Sequence, residues 1–331
     1  MRCLVLADVH GNLSALEAVL ADAGAVDAVW CLGDVVGLGA QPEGCVERLR
    51  GIDALVVAGN HDLAVVGEPG PEFARMPFMG ESNAWTRARL SAGSLAYLGG
   101  LPERVEVEGI RLVHDQTELS GHERFALVGH THLPFLGPPG AVPTPGQRQA
   151  LGGEPAVLNP GPVGAPDWRP GSACYAWLDV EPTVAATVRV VAAPAGPDED
   201  EIGRLNAPPR LVAYWRRLNA DAALAEGDLE RARELFRLSA ALFRDGRDAR
   251  QALHLLVGLA DLAAAEGDAE RAATLLGTAM PDPAAAHPAL RHRADLAATA
   301  LRAAIGVGPF EAARRRGIGM GLAEAVALGR V

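Results

Sequence analysis

Five short segments of this chain carry side chains that bind metals: Asp8-Val9-His10-Gly11-Asn12, Gly33-Asp34, Gly59-Asn60-His61-Asp62, Val113-His114 and Gly129-His130-Thr131-His132. Carboxylate, imidazole and amide groups in one set suit borderline divalent ions such as manganese, iron or zinc better than calcium or magnesium. A carboxylate shared between two ions, the task open to Asp34, lets them sit roughly 3.5 to 4 Å apart and grip one phosphate from two sides. Such a pair also lowers the pKa of a bridging water to around neutrality, so that metal-bound hydroxide attacks phosphorus and no serine or cysteine nucleophile is needed. Taken singly, each segment has a plainer reading. Gly59-Asn60 is a turn signal, Asp34 after glycine can cap a helix, and a lone histidine such as His114 is more often a satisfied core residue. Their conjunction points to a two-metal site that hydrolyses phosphoesters.

The elements that position these groups are legible as apolar runs of strand length: Cys3 to Ala7, Ala28 to Leu32, Ala54 to Ala58, Ile110 to Val113 and Phe125 to Val128. Each segment sits at or just past one of them, so the ligands are expected to cluster at the carboxyl ends of neighbouring strands. In extended chain, residues two apart share a face. Asp8 and His10 are therefore expected to approach one ion together, and His130 and His132 a shared centre.

The order and spacing of the segments resemble the calcineurin-like metallophosphoesterase superfamily, and closely its small bacterial and archaeal phosphodiesterase branch. Stretches typical of that branch are Gly33-Asp34-Val35-Val36-Gly37-Leu38-Gly39 with Pro42 and Cys45 following, Leu98-Gly99-Gly100-Leu101-Pro102, and Asn159-Pro160-Gly161-Pro162-Val163-Gly164. The resemblance runs from Met1 to about Val191. It implies an α/β fold, a two-sheet β-sandwich flanked by helices in four layers. Carried over position by position, it implies that Asp8, His10 and His132 hold a first metal, that Asn60, His114 and His130 hold a second, and that Asp34 bridges them. His61 would donate a proton to the leaving oxygen, oriented by Asp62, with Gly11 and Asn12 lining the same loop. The implied cofactors are two divalent ions, manganese first, with iron, zinc or nickel as alternatives. The implied substrate is a phosphodiester or phosphomonoester.

Two positions and one loop length depart from the family pattern. Asp115 follows His114 where glycine is usual, and an extra carboxylate there could hydrogen-bond an imidazole, add a ligand or repel the substrate phosphate. Only fifteen residues separate His114 from His130, which leaves no room for the helix-containing excursion of many relatives. Pro162 replaces a serine. His122, in the shortened loop, reads as an isolated exposed histidine.

Composition sets the class. The 331 residues, 49% hydrophobic, are enough for two cores. All 30 basic residues are arginine, which excludes a lysine Schiff base, and a net charge of −11 argues against a nucleic-acid surface. Four dispersed cysteines, Cys3, Cys31, Cys45 and Cys174, read as reduced buried thiols, and neither a signal peptide nor a membrane span is evident. A cytoplasmic location is expected.

The phosphoesterase domain is expected over residues 1–191, a proline, glycine and acidic linker over 192–207, and an all-α helical-repeat domain over 208–331. Apolar spacing marks helix faces at Leu229, Ala232, Leu235 and Phe236, and at Leu253, Leu256, Val257, Ala260 and Ala264. Ala225-Glu226-Gly227-Asp228-Leu229-Glu230-Arg231-Ala232 recurs as Ala265-Glu266-Gly267-Asp268-Ala269-Glu270-Arg271-Ala272, with glycine placed to end one helix and aspartate to cap the next. This half resembles the tetratricopeptide-like array at the carboxyl end of maltose-regulator-type transcriptional activators. Such arrays usually bind proteins or peptides on a concave face, so a partner of that kind is one expectation; the alternative is that the helices pack back on the enzyme or pair two subunits. A regulatory adaptor with a weakly active, metal-binding phosphoesterase domain is the alternative to an efficient enzyme.

Overall fold

The computed structural model describes the chain except residues 68–72, 74–75, 138–140, 152–154, 182, 244–247, 282–285 and 330–331. The chain forms two units. One comprises Met1–Pro166 and Ser172–Pro197, the other Asp167–Gly171 and Asp198–Val331.

The first unit is built on two mixed sheets. Six strands lie in the order β3 (Leu55–Val56), β2 (Ala28–Cys31), β1 (Arg2–Leu6), β10 (Ser172–Asp179), β11 (Ala185–Ala192), β8 (Arg148–Ala150). Five lie in the order β4 (Arg104–Val107), β5 (Ile110–Val113), β6 (Phe125–Leu127), β9 (Ala156–Asn159), β7 (Phe135–Leu136).

Strand β1 shows why the apolar runs are continuous. Cys3 and Val5 join Leu112, Leu127 and Leu158 of the other sheet in one core. Leu4 and Leu6 point the opposite way, into a second core with Leu16 and Val19 of α1 (Leu13–Ala23) and Cys45, Val46 and Leu49 of α2 (Pro42–Gly51). A strand covered on both faces has no polar side to show, so alternation disappears from its sequence. Each such buried aliphatic side chain contributes about 1.5–3 kcal/mol.

The second sheet carries a further small apolar cluster on its outer face. There Val113, Val128 and Phe135 cluster with Leu119, which ends a 3-10 turn at Gln116–Glu118.

Strands β1, β2 and β3 run parallel, as do β5, β6 and β9. Their carboxyl ends are followed by Asp8, Asp34, Asn60, His114 and His130, and Asn159 is the last residue of β9. All four cysteines are free and buried, and burial pushes the Cys3 thiol up to about 11. No helix among the described residues is long and apolar enough to cross a membrane.

The stretch read as a linker contains a helix, which becomes α6 (Glu199–Leu205) once α3 (Asn60–Val66), α4 (Pro77–Arg87) and α5 (Ala92–Gly99) of the first unit are counted. Asp198 caps it by accepting from Glu201 N at 2.8 Å, and three acidic residues occupy the first turn. The run read as a solvated spacer is thus the acid-rich amino end of a helix, where the macrodipole favours negative charge.

The second unit continues with α7 (Pro209–Ala225), α8 (Leu229–Phe243), α9 (Ala249–Ala265), α10 (Ala269–Ala279), α11 (Pro288–Ile305), α12 (Val307–Gly317) and α13 (Leu322–Leu328). The two copies of the recurring octapeptide make the same turn. Gly227 and Gly267 have φ of 85° and 82°, and the amides of Asp228 and Asp268 return to Ala223 O and Ala263 O, each at 2.9 Å. Asp228 and Asp268 then accept from the amides of Arg231 and Arg271 at 3.0 and 3.1 Å. The face of α8 is buried as its spacing implies, at Ala232, Leu235 and Phe236. Helix α9 is not one-faced: Leu255, Leu259 and Leu262 are buried beside Leu256, Val257 and Ala260, while Ala264 is exposed. It packs against α7, α8, α10, α11 and α13, so an amphipathic reading understates its burial.

A buried ionic network crosses this unit. Asp221 Oδ2 accepts from Arg217 Nη1 at 2.9 Å and its Oδ1 from Arg293 Nη2 at 2.7 Å. Arg293 Nε donates to Asp261 at 2.8 Å. Asp167 Oδ1 lies 3.1 Å from Arg217 Nη2 and 3.4 Å from His254 Nδ1. Helices α7, α9 and α11 and the excursion 167–171 all supply members.

Candidate metal centre

Backbone pairing continues past the strand ends and fixes the loops. Asp8 N donates to Gly33 O at 3.1 Å, His10 N to Asp34 O at 2.8 Å, and Gly129 N to His114 O at 2.9 Å. The extended-chain account of the two spacings does not hold. Asp8, His10, Asp34, His130 and His132 have φ of 54°, 50°, 52°, 66° and 51°, all left-handed. Asp and His tolerate that region better than most residues, yet each such turn costs on the order of 1–3 kcal/mol. Alternate left-handed residues, rather than a pleat, aim the paired side chains, and His130 and His132 separate toward different neighbours.

Asp8, His10, Asp34 and His132 each offer a ligand atom, all within 4.8 Å of one another. His10 Nε2 and His132 Nε2 face each other at 2.9 Å. His132 Nε2 stands 3.7 Å from Asp8 Oδ1, and His10 Nε2 stands 3.7 Å from Asp34 Oδ2. Asp8 Oδ2 and His10 Nδ1 are buried without a hydrogen-bond partner among the described residues. Burial pushes Asp8 up to about 7 and holds His10 well below the usual histidine value. A neutral imidazole beside carboxylates is a ready lone-pair donor, so this buried set of oxygens and nitrogens fits a divalent cation.

A second group shares Asp34. His114 Nε2 lies 3.3 Å from Asp34 Oδ2 and 3.1 Å from Asn60 Oδ1, while His114 Nδ1 meets Leu32 O at 2.7 Å. Burial works against charge on His114, but Asp34 beside it raises the imidazole to about 10. Burial likewise works against an ionised Asp34, and His114, His61 and His10 together hold it well below the carboxylate range. His130 stands at the edge of this group. Its ring centroid is 5.3 Å from that of His114, its Nε2 is 3.7 Å from Asp115 Oδ2, and its side chain is 39% exposed.

A family model described as the calcineurin-like phosphoesterase superfamily domain matches residues 1–183. The chain belongs to this superfamily. A metallophosphoesterase from Sphaerobacter thermophilus, known from its crystal structure, is 32% identical; the match covers 62% of this chain and 98% of that one, with a TM-score of 0.53. An uncharacterized protein of Methanocaldococcus jannaschii is 28% identical over 209 residues, 56% of this chain and 86% of its own. The helices from α6 onward lie beyond the family match.

Within the superfamily domain, His61 and Asp62 divide their tasks. The His61 ring packs edge-on against His10 at 4.9 Å and against Phe73 at 5.0 Å, and its backbone amide donates to Asp34 Oδ1 at 2.8 Å. Asp62 accepts from Val36 N at 3.1 Å and Gly59 N at 3.0 Å. It thereby ties the loop after Asp34 to the turn before Asn60. Asn12 lines the site loop by capping α1, its Oδ1 accepting from Ala15 N at 3.0 Å. His122 is exposed.

One positioning residue escaped the sequence reading. Asn159, fully buried, donates from Nδ2 to Gly129 O at 2.6 Å and Thr131 Oγ1 at 3.0 Å, bracketing His130. Its signal was available: like the ligands, it is a polar residue at the carboxyl end of an apolar run.

Gly59 is required by close approach. A Cβ there would lie 2.2 Å from both the amide nitrogen and Oδ1 of Asp34. Gly59→Ala is therefore expected to displace Asp34 and weaken metal uptake at least tenfold, as read by titration of the metal-free protein with manganese. Uptake like that of the wild type would show that the loop yields cheaply.

Proposed function

We propose that this chain is a dinuclear metal-dependent phosphoesterase. Asp8, His10 and His132 hold one ion, Asn60, His114 and His130 hold the other, and Asp34 serves both. The observation that carries this reading is Asp34 Oδ2, a single buried oxygen 3.7 Å from His10 Nε2 and 3.3 Å from His114 Nε2. When bound, two divalent cations supply charge to the phosphate oxygens and ease ionisation of water. The mixed donor set suits a borderline divalent ion, and manganese is proposed first, with iron, zinc or nickel as alternatives that cellular supply decides among.

The protein's own groups do the rest. Although burial opposes it, His114, His61 and His10 favour the ionised form of Asp34, which suits it to face both ligand groups. His61, held by its backbone bond to Asp34 and by its contacts with His10 and Phe73, carries a proton toward the leaving oxygen. Asp62 and Asn159 keep the ligand loops in register through backbone contacts. The substrate class is a phosphodiester or phosphomonoester, and buried, free thiols fit a cytoplasmic setting.

Chelator-stripped protein is expected to leave bis(p-nitrophenyl) phosphate and p-nitrophenyl phosphate intact, and manganese to restore turnover of at least one, saturating at two equivalents. Two bound ions without hydrolysis of any ester in a broad panel would refute the enzyme reading.

That outcome would favour a regulatory adaptor. The observation on its side is Asp115, whose charge stands beside His130 where a phosphate would approach. On either reading the helical unit is a tetratricopeptide-like module that docks a protein or peptide. The matching turns at Gly227 and Gly267 support that assignment.

A further inference from the structure

We infer that Asp115 is a positioning residue that sets the His130 imidazole for the second ion. The inference rests on the two-ion reading above and extends it to a position where the family pattern has glycine.

Asp115 ends the segment Val113-His114-Asp115 and opens the 3-10 turn Gln116–Glu118. Its Oδ1 accepts from Thr117 N at 2.9 Å, which fixes the carboxylate by a local cap. A cap needs one oxygen, and serine performs it about as well as aspartate. The turn therefore accounts for Oδ1 and leaves Oδ2 unexplained. Oδ2 faces His130 Nε2 at 3.7 Å, within ion-pair reach, and the Asp115 side chain is 31% exposed.

The two second-group imidazoles then follow one rule. His114 has Nδ1 on Leu32 O at 2.7 Å, which leaves Nε2 as the nitrogen turned to Asp34 and Asn60. His130 has Nε2 on the Asp115 side, which leaves Nδ1 as its lone-pair nitrogen. An acceptor behind a ligand imidazole selects the tautomer, fixes the ring plane and raises ligand basicity. For His114 the acceptor is backbone. For His130, on a partly exposed loop, the Asp115 carboxylate stands in that place.

The test is calorimetric titration of the metal-stripped full chain with manganese chloride, alongside thermal unfolding. In Asp115→Ser, which keeps the cap and removes Oδ2, affinity for the second ion is expected to fall about 10- to 100-fold. The first ion and the unfolding midpoint should not change. Asp115→Asn retains an oxygen facing His130 and is expected to recover most of the loss. Second-ion affinity in Asp115→Ser equal to that of the wild type overturns the inference, and so does an equal weakening of both ions with a lowered midpoint, which would mark a cap alone. A wild-type titration that ends at one equivalent brings down the two-ion reading itself, and this inference with it.

Discussion

Asp34→Ala is expected to cut hydrolysis of bis(p-nitrophenyl) phosphate by about a thousandfold or more, and to take manganese uptake from two ions to one or none. Removing one preorganised electrostatic group from a dry site costs on the order of 10²–10³ in turnover. Asp34 serves several groups at once. Its Oδ2 faces His10 and His114, and its Oδ1 anchors the amide of His61. Asp34→Asn separates these contributions, since the amide oxygen can still receive the His61 amide while the charge is gone. Its fold should survive, with an unfolding midpoint near that of the wild type, and its activity should not. Retained turnover in Asp34→Asn would mean that the carboxylate is scaffold only.

The second large effect lies far from the chemistry. Asp221→Ala is expected to destabilise the helical unit by about 3–5 kcal/mol, read by urea denaturation followed through helical circular dichroism. Asp221 is 2% exposed, and its two oxygens receive Arg217 and Arg293. Truncation leaves two guanidinium groups with fewer partners in a place water does not reach. Domains of this size are stable by only about 5–15 kcal/mol, so the loss is a large fraction of the total. Asp221→Asn, which keeps an acceptor, should lose less. A change below about 1 kcal/mol in the alanine variant would show that the network contributes packing order and little stability.

The sequence disclosed the site more fully than the scaffold around it. Residue types and strand-end spacing are local facts, so Asp8, His10, Asp34 and His132, which the fold gathers into one candidate cluster, stand out in the sequence itself. The left-handed backbone at those positions was hidden, because glycine advertises positive φ and Asp or His does not. The hydrogen bonds of Asp62 to Val36 and Gly59 were hidden as well, because the first joins positions brought together only by tertiary closure. In the helical half, the Gly-Asp turns were readable because cap and breaker lie within four residues. The Asp167 to Arg217 pairing was not: it joins positions fifty apart, and Asp167 lies in a five-residue excursion flanked on both sides by chain of the other unit.

That excursion has a consequence for the nascent chain. Synthesis proceeds from the amino end, and Asp167 and Trp168 leave the ribosome well before Arg217, His254 and His292, the residues they meet. Strands β10 and β11 follow at once, so the six-stranded sheet can close with the excursion still waiting for α7, α9 and α11 to be made. A ribosome stalled after β11 would display an acid and an indole with nothing yet to cover them. For these five residues, translation order and assembly order run in opposite directions.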